Sequence, residues 1–198
     1  MENSKVHIKC EGNDYTIDDN GAFNGHVTHA YDEGFSKFII NFFKGRTVID
    51  FGCGGGEYVR ELKKTIPYVE GWDGNPHTEE ETGGLCKYAD LSQPFISSKF
   101  DWVVSLEVGE HIPKESEQQF IDNLCEHAQQ GILLSWAPPS QLGEGHINCQ
   151  EGSYLIEEIY KRGFLVDMVK TNEIRSNCET WWFQRNLLVF YKVDNIIF

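Results

Sequence analysis

The residues of this sequence best suited to chemistry are acids and histidines that directly follow apolar runs. Glu107, Glu110 and His111 lie within five positions, and His146 lies in a later glycine-rich segment. An imidazole can take a proton from an amine or a hydroxyl near neutral pH, and a carboxylate can hold a cationic amine. Structural alternatives stay open, because Glu110 could cap a following helix that Pro113 starts, and His146 could lie in a polar surface loop.

A glycine-rich turn is the most informative stretch. Asp50, Gly52, Gly54 and Gly56 match the pattern D-x-G-x-G-x-G between an apolar run and an amphipathic segment. Glycine allows a ligand to approach the backbone closely. A dinucleotide turn in this frame would place the charge of Glu57 beside a pyrophosphate, and the G-K-[ST] sequence of a P-loop is missing. The turn therefore favours a ligand without phosphate, and Asp50 could meet a cationic group of that ligand.

Two further acids follow the next apolar stretches. Asp73 ends the second one, where an acid is placed to accept hydrogen bonds from ribose hydroxyls. Asp90 and Leu91 follow a short third apolar stretch. Either acid could instead be an ordinary turn residue.

These motifs, in this order, resemble those of the class I, Rossmann-like S-adenosylmethionine-dependent methyltransferases of the small-molecule type. The resemblance covers roughly residues 35–192. It implies transfer of a methyl group from S-adenosylmethionine to a nitrogen or oxygen of a small molecule, with S-adenosylhomocysteine as product. It also implies a set of cofactor-binding residues: Asp50, Gly52, Gly54, Gly56, Asp73, Asn75, Asp90, Leu91 and Glu107.

The methyl acceptor is expected at the loops that carry the acids and histidines. His111, His146 and Glu110 are the candidate catalytic residues, and the sequence does not rank them. The predicted acceptor contacts are Tyr31, His29, Glu107, Glu110, His111, His146 and Trp181. Core packing is the alternative for Trp181. No metal is expected, because His26 and His29 have the spacing of a ligand pair but lack a second Cys/His pair at zinc spacing.

Strand and helix patterns alternate along the chain from residue 35. The fold class that this predicts is α/β, a doubly wound, mostly parallel sheet of seven strands with an antiparallel last strand and helices on both faces. The last two strands, over 164–169 and 186–191, show no obvious helix between them and are expected to pair antiparallel. Residues 1–34 are polar and lack periodicity, which predicts an N-terminal arm or lid ahead of a cofactor-binding domain at 35–198.

The composition of the chain limits the kinds of molecule that it is expected to bind. The chain has 198 residues, 40% of them hydrophobic, and a net charge of −14. Such acidity disfavours nucleic acid and anionic membrane surfaces, and it favours a small acceptor, with an amine slightly preferred. Six scattered cysteines and a start without signal-peptide character predict a cytoplasmic protein. The sequence leaves open a protein side chain as acceptor or a catalytically inactive cofactor-binding domain, and it does not predict the oligomeric state.

Overall fold

The computed structural model describes residues 7–10 and 12–193, which form two β-sheets and seven α-helices. The first sheet is antiparallel, with strands β1 (His7–Cys10), β2 (Asn13–Ile17) and β3 (Phe23–His26). The strands of the second sheet are β4 (Thr47–Phe51), β5 (Tyr68–Asp73), β6 (Lys87–Tyr88), β7 (Phe100–Leu106), β8 (Ala128–Ser135), β9 (Phe164–Val166) and β10 (Leu188–Lys192).

The helices flank the second sheet on both faces. They are α1 (Glu33–Phe42), α2 (Glu57–Leu62), α3 (Thr78–Glu81), α4 (Glu117–His127), α5 (Gly152–Tyr160), α6 (Met168–Asn177) and α7 (Phe183–Asn186). Side chains alternate between the faces of a strand, so β4 sends Val48 to one core and Ile49 to the other. The core on the Val48 side contains residues of α1, α2 and α6, and the core on the Ile49 side contains residues of α4 and α5. Among the described residues, no helix has the length and apolar character needed to cross a membrane.

The order of the second sheet is β6-β5-β4-β7-β8-β10-β9. All its neighbours are parallel except β10, which runs antiparallel to both β8 and β9. The predicted fold class is therefore confirmed, including the antiparallel last strand. Chain order reverses between β4 and β7, and ligands bind at such a point, beyond the carboxyl ends of the strands.

The end of the chain departs from the prediction in one respect. The strand predicted over 164–169 stops at Val166, and α6 and α7 lie between the last two strands. Asp167 caps α6 by accepting a hydrogen bond from the backbone N–H of Lys170 at 2.8 Å, which turns the chain out of the sheet. Helix α6 buries Thr171 and Ile174 and little else, so its sequence lacks an apolar helical pattern.

The predicted arm or lid contains the first sheet, which its polar sequence did not indicate. Residues 1–6 and 11 of that segment, and 194–198 of the predicted cofactor-binding domain, lie outside the described residues. Helix α1 begins two residues before the predicted boundary at 35, because Asp32 is its N-cap and accepts a hydrogen bond from Phe35 N at 2.8 Å. The second oxygen of Asp32 accepts bonds from the backbone of Glu179 and Thr180 at 2.8 and 2.7 Å, which ties this junction to the loop before α7.

Candidate active site

A cavity of about 470 Å³ opens at the carboxyl ends of β4, β5 and β7, beneath the first sheet. Its size is ordinary for a site that holds a small ligand. Most of the predicted site residues line it: Asp50, Gly52, Gly54, Asp73, Asn75, Asp90, Leu91, Glu107, His111, His146, His29 and Trp181. Gly56, Glu110 and Tyr31 lie outside the lining.

The glycine turn between β4 and α2 lies along the cavity with its backbone exposed to it. Gly52, Gly54 and Gly56 have φ angles of +81°, +51° and +75°, in the left-handed region that favours glycine. A Cβ atom on Gly52 would lie 2.2 Å from a methyl of Val108, and one on Gly54 would lie 2.7 Å from the ring of His29. The turn therefore requires glycine at both positions, and it leaves room for a ligand beside the backbone.

Asp73 joins the tips of β4 and β5. One carboxylate oxygen accepts the backbone N–H of Gly54 and the other that of Asn75, both at 2.8 Å. Each oxygen keeps a further lone pair, so the carboxylate can also accept two hydroxyl groups of a ribose. Asn75 in turn donates to the carbonyl of Gly25 at 2.7 Å, which fastens β3 over this part of the cavity.

Asp90 and Leu91 lie at the same edge, after β6. One oxygen of Asp90 accepts the backbone N–H and the hydroxyl of Ser92, at 3.0 and 2.6 Å. The Leu91 side chain is buried beside it. A carboxylate next to an apolar side chain suits the amino group and the ring of an adenine.

Asp50 contributes an unusual carboxyl group to the cavity. Burial raises its pKa to about 8, and the charges of Asp73 and Glu57 add to the rise. The three acids all line the cavity. A cationic ligand would relieve their mutual repulsion, and the ammonium and sulfonium of S-adenosylmethionine are such groups. The residues present therefore fit this cofactor.

Glu107 opens the other end of the cavity with a strained backbone. Its φ angle is +54°, the one positive value that the described part of the chain shows outside glycine. Such strain persists where the surroundings impose it, commonly at functional sites. Gln141 donates to one carboxylate oxygen at 2.6 Å. The other oxygen is buried, and no described residue forms a hydrogen bond with it.

Glu110 lies behind Glu107, fully buried. Burial and the charge of Glu107 raise the pKa of its carboxyl group well above the ordinary value. The nearby backbone N–H groups of Glu110 and Ala137 lower this pKa, although neither forms a hydrogen bond with a carboxyl oxygen. The Glu110 carbonyl accepts the N–H groups of Ile147 and Asn148 at 2.9 Å each, so the two loops are fastened together. Glu110 does not cap α4, whose N-cap is Ser116.

His111 and His146 meet at this end, with their ring centroids 5.0 Å apart. The carbonyl of Gly145 lies 3.1 Å from Nδ1 of His111, and that of Gln141 lies 3.2 Å from Nδ1 of His146. Burial, with the nearby His146, lowers the pKa of His111 to about 4. His111 is therefore neutral at physiological pH. One potential ligand atom each of Glu110, His111 and His146 lie within 4.8 Å of one another, which could hold a metal ion.

The first sheet supplies cavity residues that the sequence reasoning did not assign to the site. Phe23 packs edge-on against His111, with the ring centroids 4.8 Å apart. The Tyr15 hydroxyl donates to Glu144 at 2.9 Å, so β2 is joined to the loop that carries His146. Nothing in the spacing of Tyr15, Phe23 and Glu144 in the sequence indicated these two contacts. Tyr31 stacks on Tyr58 outside the cavity.

Comparison with known proteins shows the family and the fold of the chain. Residues 23–185 match the family described as a methyltransferase domain. A probable chloroplastic tocopherol O-methyltransferase of Oryza sativa subsp. japonica is 32% identical over 111 residues, which are 47% of this chain and 30% of that protein. The chain thus matches less than a third of the length of this relative.

Two solved structures share the fold of this chain. Magnesium protoporphyrin IX methyltransferase from Synechocystis, with bound S-adenosylhomocysteine, superposes with a TM-score of 0.59 at 18% identity, over 80% of this chain and 82% of that one. The sugar N-methyltransferase KedS8 from Streptoalloteichus gives 0.64 at 11% identity, over 86% and 97%. The fold and the site define the class I methyltransferases, whose methyl donor is S-adenosylmethionine. This chain belongs to the methyltransferase-domain family.

Proposed function

We propose that this chain transfers the methyl group of S-adenosylmethionine to a nitrogen or oxygen of a small molecule. One observation carries the proposal: a single cavity holds the glycine turn with Asp73 and Asp90 at one end, and Glu107, His111 and His146 at the other. A ligand that spans this cavity from the ribose acid would present its reactive end to the acids and histidines. The relatives that act on a tocopherol, a porphyrin and a sugar amine support a small acceptor.

The residues of this chain bind and orient the reactants, while the cofactor supplies an activated methyl group on a good leaving group. Asp73 accepts the ribose hydroxyls, and Asp90 with Leu91 holds the adenine. Asp50 interacts with the cationic end of the cofactor. The first sheet covers the cavity and limits the access of water, since Tyr15 and Asn75 tie it down on both sides.

The acceptor is best explained as an amine or a hydroxyl compound, with an amine slightly preferred. Glu107 lines the cavity, and its carboxylate attracts a cationic amine. His111 is a weak base because the pKa of its ring is about 4. We therefore assign it to orienting the acceptor rather than to removing its proton.

An inactive cofactor-binding domain and a protein side chain as acceptor are the rival functions. Two features of the described residues favour a small molecule. The first sheet covers the acceptor end through the contact of Phe23 with His111, and Tyr15 closes it against Glu144. A cytoplasmic location stays part of the proposal, supported by the free thiols of the described cysteines at 53, 86, 125, 149 and 178.

The test is a screen of amines, phenols and carboxylic acids with S-adenosylmethionine labelled in the methyl group. We expect label in an amine or hydroxyl compound and equimolar S-adenosylhomocysteine. Gly54→Val is the control, since it should remove cofactor binding and with it all transfer. Tight cofactor binding together with no transfer to any compound, but transfer to a peptide, would contradict the proposed acceptor class. Binding without any transfer would indicate the inactive domain.

A further inference from the structure

The acceptor end of the cavity holds more ligand-type side chains than methyl transfer requires. Glu110, His111 and His146 come from two loops, after β7 and after β8, and converge so that one potential ligand atom of each lies within 4.8 Å of the others. Glu107 adds a second carboxylate directly beside Glu110. These four residues bring two carboxyl groups and two imidazole rings to one place.

Glu110 shows that this cluster is incomplete as it stands. The side chain is fully buried. Apart from the neighbouring carboxyl group of Glu107, no residue within 12–193 offers a hydrogen-bond partner to either of its carboxyl oxygens. A buried carboxylate without a cationic partner costs several kcal/mol and takes up a proton instead, so buried carboxylates in the charged form are nearly always paired or bound to a metal ion. A cation placed among the three side chains would supply the missing partner.

Each of the two histidines has a backbone carbonyl beside its Nδ1 atom. A carbonyl oxygen can only accept a hydrogen bond, so the carbonyls of Gly145 and Gln141 keep the proton of each ring on Nδ1. Nε2 of His111 and of His146 is then left with a lone pair. Metal-binding histidines typically donate their other ring N–H to a carbonyl or a carboxylate in this way, which fixes both the tautomer and the ring orientation.

We propose that Glu110, His111 and His146 bind a divalent first-row transition-metal ion, of the Zn²⁺ or Mn²⁺ class. Two imidazoles and a carboxylate are a ligand set that suits these ions. Ligand atoms about 2.1 Å from a tetrahedral ion lie about 3.4 Å apart, so small side-chain rotations within the 4.8 Å cluster close the site. When the ion displaces the proton of Glu110, that carboxylate and Glu107 contribute two negative charges to balance the dication.

This ion would lie at the acceptor end of the cavity, since His111 and His146 line it. A coordination position left open there could take an oxygen or nitrogen atom of the acceptor and make its proton easier to lose. That role rests on the proposed function, whereas the binding of the ion does not.

The experiment measures metal binding alone, without cofactor or acceptor. Chelator-treated protein is titrated with Zn²⁺ by calorimetry and with Co²⁺ by visible absorption. We expect one ion per chain. Glu110→Gln and His146→Gln should each raise the dissociation constant at least about tenfold. His77→Gln is the matched control and should leave it unchanged, because His77 is exposed and lies on α3's N-terminal side, away from the cavity lining.

Thermal unfolding without metal keeps the test clear if a variant folds poorly. His146 is only partly buried, so its glutamine variant should unfold at nearly the wild-type temperature. Zn²⁺ should stabilise the wild type and the control but neither of the two ligand variants. Failure of the wild type to bind at millimolar Co²⁺, or equal binding by the wild type and Glu110→Gln, would overturn the metal site. Separate titration with S-adenosylhomocysteine tests the proposed function independently.

Discussion

Replacing Asp50 by asparagine tests the electrostatics of the cofactor site. The buried carboxyl has a pKa of about 8, raised from 3.8 chiefly by burial. At pH 7 it is therefore mostly protonated when the site holds no cation. A cofactor with an ammonium and a sulfonium group favours the ionised form, so we expect binding of S-adenosylmethionine to release close to one proton at pH 7.

The size of the pH effect follows from the linkage between cofactor binding and ionisation of Asp50. The affinity of the wild type should rise about tenfold per pH unit between roughly pH 6 and 8 and level off above pH 8. The free energy of unfolding changes with pH in the opposite direction. Between the unfolded pKa of 3.8 and the folded pKa of about 8, the folded state binds more protons than the unfolded state. The wild type should lose stability relative to Asp50→Asn as pH rises from about 4 to 8, and at pH 7 the difference is at most about 4 kcal/mol.

Calorimetry in two buffers of different ionisation enthalpy measures the released protons directly, and thermal melts at pH 5 and pH 8 measure the stability. Asp50→Asn should release none, bind S-adenosylmethionine more weakly at pH 8, and be the more stable protein without ligand. Equal proton release by the two proteins, or a wild type that gains stability from pH 5 to 8 relative to the variant, would refute the reasoning.

Three further changes test the remaining parts of the site. Gly54→Val should abolish binding of S-adenosylhomocysteine in a calorimetric titration, because the side chain would meet the ring of His29 and φ is +51°. Asp73→Asn should weaken that binding about tenfold to a hundredfold, the equivalent of one charge-assisted hydrogen bond, with little change in kcat. Glu107→Gln should leave the affinity for S-adenosylhomocysteine within about threefold but lower kcat/KM at least about tenfold for an amine acceptor, as measured by product release. A wild-type kcat/KM for Glu107→Gln would remove its carboxylate from acceptor binding.

The cofactor end of the site could be predicted from the sequence because its information is local. Parallel strands end at one edge of a sheet, so Asp50, Asp73 and Asp90 had to meet once the strands were recognised in order. The glycine turn is equally local, since the positive φ angles at Gly52 and Gly54 need glycine whatever surrounds them.

The acceptor end could be predicted only as a set of residue types. That Glu110 is buried without a partner, and that His146 reaches it from a loop after the next strand, depends on how the two loops pack. No spacing rule expresses how these two loops pack. The neutral state of His111 likewise follows from its burial, to which the ring of Phe23 contributes across the first sheet.

The first sheet and α6 were missed for a related reason. Strands β2 and β3 are short and polar. Their rings Tyr15 and Phe23 pack on each other, and they contact loops of the second sheet at Glu144 and His111. Helix α6 is marked by its cap, Asp167, more than by apolar periodicity. Helices and strands are predicted from apolar residues that repeat along one buried face, and these elements bury too few side chains to produce such a repeat.

Titration of the unmodified protein with S-adenosylhomocysteine is the most direct test of the central claim, that the cavity at the glycine turn is a methyl-donor site. The account predicts one site per chain in a calorimetric titration, with no comparable response to NADH. No heat and no thermal stabilisation with S-adenosylhomocysteine, together with tight binding of NADH, would contradict it.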